Sequence, residues 1–71
     1  MSEDFAMGDA YKRLLSAVAD LATAEGQLTR LRQLQAAGMA TDNDVAEAEQ
    51  HRHKAQMAQN AAQAAYNDFL L

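Results

Sequence analysis

The sequence predicts an all-α protein: a two-helix antiparallel hairpin, coiled-coil-like, completed by self-association or by a partner chain. Three observations carry this. Apolar residues recur at helical steps on both sides of the midpoint. The chain has no proline and only three glycines. The single clear break, "AAGMATDND", holds a helix-stop signal followed at once by helix-start signals.

Residues 1–9, "MSEDFAMGD", read as a partly flexible leader, mostly polar apart from Phe5 and Met7. The first helix is expected over about 10–37. Tyr11, Leu14, Val18, Leu21, Ala24, Leu28 and Leu31 follow one another at steps of three or four, and Leu15, Ala22 and Leu34 widen the stripe. Gly26 is the weak point, read as a glycine tolerated at a close contact between strong helix formers in preference to the alternative, a hinge.

The turn is expected at 38–42. Gly38 stands where a left-handed C-terminal cap belongs. "TDND" then offers four N-cap residue types, and both Thr41–Asp44 and Asp44–Glu47 have capping-box spacing. Met39 is expected to pack over the helix ends. So short a connection makes the helices antiparallel neighbours.

The second helix is expected over about 43–70. Its seam reads Val45, Ala48, Ala55, Ala58, Ala62, Ala65 and Phe69, with Arg52 interrupting. Two helices of roughly 27 residues would each run about 40 Å. That brings Tyr11 beside Tyr66 and Phe69, and these aromatics with Leu14, Leu15 and Leu70 are expected to form the largest apolar cluster, at the open end.

Composition bounds the function. A 71-residue chain without cysteine has neither a large core nor a disulfide to hold it. Net charge is −4 and the six basic residues are scattered, which argues against nucleic acid and anionic membrane surfaces. No segment reads as a membrane span or a secretory signal, so a cytoplasmic location is expected. His51 and His53 are two apart and point in different directions on a helix, whereas helical metal sites use spacings of three or four. Glu47–His51 and Glu49–His53 have that spacing, but as ordinary solvated pairs. No cofactor, metal or enzymatic activity is expected.

A leucine-rich helix folded on an alanine-lined one leaves apolar surface uncovered. Function is therefore expected through protein–protein contact by Tyr11, Leu14, Leu15, Val18, Leu21, Leu28, Leu31, Tyr66 and Phe69. The expected occupant is another helical protein, a partner chaperone, or a second copy in a homodimer.

Two families share this layout. With its alanine-rich second helix "AEAEQHRHKAQMAQNAAQAAY" and its turn "AAGMATDND", the chain resembles the small co-chaperones of type III secretion needle subunits. That resemblance covers nearly the whole chain in size, layout and composition. It implies a cytoplasmic protein that joins a helical-repeat chaperone and keeps a needle subunit soluble before export. The chain is also similar to the hairpin of periplasmic efflux adaptors and to the coiled coil of their outer-membrane channels. Arg30, Leu34 and Thr41 have the spacing of the adaptor-tip arginine, leucine and serine, with Thr for Ser, and "DVAEA" resembles the start of the returning helix. This second resemblance implies a coiled-coil tip module in end-to-end contact. As a complete protein starting at Met1, the chain fits the co-chaperone family better; as an excised hairpin, it fits the adaptors.

Overall fold

A computed structural model describes residues 3–71, with side chains from Asp4 onward. It contains two helices, α1 over Glu3–Ala36 and α2 over Asp42–Asn67, packed side by side with no strand among the described residues. The molecule is a rod of 54 × 17 × 13 Å. Tyr11 meets Tyr66 at one end, while Arg32 bonds Glu49 and Gln35 bonds Asp42 toward the other. Early residues of α1 thus lie beside late residues of α2, and the pair is antiparallel.

α1 starts earlier than the sequence suggested. It takes in residues 3–9, which were expected as a leader, and its 34 residues exceed the 26 of α2. Nothing there stops a helix. Asp4 complements the positive helix end, Ala6 and Met7 favour helix, and a Cβ on Gly8 would meet nothing within 4 Å. Met1 and Ser2, also part of the expected leader, lie outside the described residues.

The seam follows a heptad. In α1 the buried residues are Ala10, Leu14, Ala17, Leu21, Ala24 and Leu28, at alternating steps of four and three. In α2, Val45 and Ala55 are buried, and Ala48, Arg52, Gln59, Ala62 and Tyr66 are half-buried at the same alternation. This is coiled-coil spacing, with the repeat kept close to 3.5 residues. Leucine and alanine alternate along α1, so large side chains fill space that small neighbours leave. Leu21, Ala24 and Ala55 form a buried cluster across the two helices, midway along the rod.

Two expectations are corrected here. The α2 seam does not include Ala58 or Ala65, which are exposed; Gln59 and Tyr66 hold those heptad places. Nor is the main apolar cluster at the open end. The Tyr11 and Tyr66 rings do meet there, but Leu15, Phe69 and Leu70 are exposed. α2 ends at Asn67, so Phe69 and Leu70 leave the seam in a turn held by Phe69 N–H to Tyr66 and Leu70 N–H to Asn67.

The closed end is tightly specified. Gly38 has φ +77°, the left-handed conformation that glycine adopts without a Cβ clash. Gly38 N–H donates to the Gln35 carbonyl and Met39 N–H to the Leu34 carbonyl, at 2.9 and 2.8 Å. This double closure is a Schellman motif. Three residues later Thr41 caps α2. Its hydroxyl accepts from Asp44 N–H at 3.0 Å, and its own N–H donates to Asp44 Oδ2 at 2.9 Å. Of the two capping-box spacings, Thr41–Asp44 is therefore used, while Glu47 accepts from the Asn43 amide. Met39 does not cover the helix ends; it is 73% exposed.

Candidate interaction surfaces

The surfaces available for function follow from the heptad. On α1, Tyr11, Leu15 and Val18 each lie one residue past the buried Ala10, Leu14 and Ala17. They form a second apolar stripe beside the seam, 46%, 51% and 43% exposed. α2 does not cover it, because a two-helix pair buries only the a and d faces of each helix. Of the residues expected to bind a partner, Leu14, Leu21 and Leu28 are instead buried against α2, and Leu31 is half-buried. Tyr66 is half-buried against Tyr11, and Phe69 stands exposed past the end of α2. Of the expected residues on α1, Tyr11, Leu15 and Val18 are therefore the ones that face outward, and Phe5, 61% exposed, adds a further apolar side chain near the start of the helix.

On one flank of the rod near the turn, Arg30, Leu31 and Leu34 of α1 and Asp44, Glu47 and His51 of α2 line an open groove. Charge of both signs borders a leucine floor there. The Thr41 backbone N–H, and then its hydroxyl, hold the Asp44 carboxyl below the usual carboxylate range against a slight opposing effect of burial. Asp44 thus contributes a carboxylate to the lining of this groove. Arg32 and Glu49, 3.3 Å apart, link the helices, with both side chains more than half exposed.

Farther up, Ala6, Ala10, Ala61, Ala62 and Ala65 line a shallow groove bordered by the Asp9–Arg13 ion pair at 2.8 Å. His51 and His53 are both exposed; His51 borders the groove near the turn, and His53 lies with Ala46, Glu49 and Lys54 elsewhere on α2. No group of three or more His, Asp or Glu able to hold a metal ion occurs among the described residues. No helix among them is long and apolar enough to cross a membrane. Sequence reasoning missed the alanines at 10 and 17 as core. The signal was present, since both continue the four–three alternation through Leu14 and Leu21, but larger neighbours outweighed it.

Comparison of the chain with family models, with curated proteins and with solved structures finds no match.

Proposed function

We propose that this chain is a non-catalytic helical interaction module, acting stoichiometrically by lending an apolar helix face to another helix. The observation that supports this is the Tyr11, Leu15 and Val18 stripe, exposed along α1 beside a seam already filled by α2. A helix laid against it would bury surface worth about 25 cal/mol per Å² of apolar area. In its specific form, the module is a cytoplasmic co-chaperone of type III secretion, and the stripe helps keep a needle subunit soluble. The test is co-expression with a type III needle subunit and its helical-repeat chaperone. Leu15→Asp is expected to abolish co-purification while helix content stays unchanged. Retention of the partner by this variant overturns the reading.

A second reading has its own support at the closed end. Arg30 and Leu34, two of the three residues shared with the adaptor tips, line one groove. Thr41, the third, is bound up in the cap of α2 and sets the shape of the turn. On this reading the closed end meets the tip of another hairpin, with Arg30 supplying charge and Leu34 apolar contact. Arg30→Ala and Leu34→Ala are then expected to abolish contact with an efflux-channel hairpin while Leu15→Asp leaves it intact. Insensitivity to both alanine variants overturns this reading.

A further inference from the structure

The α1 stripe reaches beyond its apolar centre, and its two halves complement each other. Continuing the alternation outward from Tyr11, Leu15 and Val18 leads to the half-buried Gly8 and then Asp4 on one side, and to Ala22, Glu25, Thr29 and Arg32 on the other, all exposed apart from Gly8. Asp4 and Arg32 lie fourteen residues to either side of Val18, and Tyr11 and Glu25 lie seven. At a repeat of 3.5 residues, seven and fourteen residues are whole numbers of turns, so all five side chains share one face.

We infer that in the free protein, before another partner takes it, this stripe is covered by a second copy of the same chain, its α1 packed antiparallel on the first about a two-fold axis at Val18. The inference rests on the docking reading above and names the partner. A two-fold contact pairs each residue with the one equally far on the other side of the axis. Asp4 then meets Arg32 of the second copy, acid against base. Tyr11 meets Glu25 of the second copy, a hydroxyl donor against a carboxylate. Leu15, three residues from the axis, falls beside Ala22 of the second copy, four residues from it, large against small, and Val18 meets itself. Each pair occurs twice, and no like charges face each other along the stripe. Arg32 already bonds Glu49 at 3.3 Å, but a guanidinium has five N–H donors and can hold two carboxylates. The face from Asp4 to Arg32 spans about 42 Å at 1.5 Å per residue, and the product is a four-helix assembly with the two α1 helices paired at its centre.

Sedimentation equilibrium over a dilution series, with Val18→Asp and Val18→Lys, tests this. The natural chain is expected to dimerise. Each variant places like charges on the axis and is expected to weaken dimerisation about tenfold or more with helix content unchanged. Mixing the two variants is expected to restore assembly, because Asp then faces Lys. A natural chain that is monomeric throughout, a dimer indifferent to both substitutions, or a mixture that fails to reassemble would each overturn the two-fold pairing. A monomeric natural chain leaves the docking reading standing, since loss of co-purification in Leu15→Asp is scored independently of self-association.

Discussion

The rings of Tyr11 and Tyr66 meet with centroids 5.3 Å apart and planes tilted by 48°. This contact joins the two helices near the end away from the turn. Tilted aromatic pairs at this spacing contribute about 0.5–1.5 kcal/mol beyond the area they bury. A double-mutant cycle with Tyr11→Ala and Tyr66→Ala is expected to give a coupling of that size by thermal or urea unfolding. Additive losses would show that the rings act separately.

Leu21 and Leu15 test which stripe is core. Leu21 is buried in one cluster with Ala24 and Ala55, whereas Leu15 is half exposed. Leu21→Ala is expected to cost at least about 2 kcal/mol, a large share of the stability of so small a domain. Leu15→Ala is expected to change the stability of the isolated hairpin by about 0.5 kcal/mol or less. For the same reason Leu21→Asp and Leu28→Asp would report on folding rather than on partner binding. Circular dichroism on dilute protein separates the cases.

The glycines divide in the same manner. Gly38→Ala forces a side chain into the left-handed region at φ +77° and is expected to destabilise by about 1–2 kcal/mol. Gly26 lies inside α1 on an exposed face, with nothing within 4 Å of where a Cβ would stand, so it marks no close contact. Gly26→Ala is expected to stabilise by up to about 1 kcal/mol. Melting temperatures should therefore move in opposite directions.

Acid should loosen the start of α2. The folded Asp44 carboxyl titrates below its ordinary value of 3.8, because the Thr41 backbone N–H and hydroxyl favour the carboxylate. A group depressed on folding contributes stability that is present in full above its unfolded pKa and is lost as pH falls through the folded one. The contribution is thus intact at neutral pH and disappears below about pH 4. Thr41→Ala is expected to cost about 1 kcal/mol at neutral pH through the lost cap and to flatten this acid limb in part, because the backbone N–H stays, whereas Asp44→Asn is expected to remove the limb. An unchanged acid limb in both variants would remove the capping box as its source.

What the sequence disclosed and what it hid have separate physical causes. The turn was legible because its signals are local: Gly38 for a left-handed cap, Thr41 and Asp44 for a reciprocal one. The antiparallel pairing followed from the shortness of the connection. The seam was harder. On α1 two stripes overlap, and size drew attention to Tyr11 and Val18 when closely packed helices bury Ala10 and Ala17 instead. On α2 alanine occurs on every face, so its spacing selects none. The half-buried Arg52, Gln59 and Tyr66 mark the seam there, because long side chains can lay an aliphatic or aromatic stem along it. The beginning of α1 was hidden for a simpler cause: polar residues near a terminus look like a tail when nothing in the text shows a neighbour for them.

The doubly capped turn also sets an order of assembly. Only four residues, 37–40, separate the last hydrogen-bonded turn of α1 from the Thr41 cap, so the entropy lost in closing the chain is least there. Pairs nearest the bend come together first, and each one formed shortens the loop needed for the next. The hairpin should zip from residues 34–45 outward, quickly, as chains dominated by local contacts do. Amide hydrogens near Leu28 and Val45 should then exchange with solvent more slowly than those near Ala10 and Tyr66.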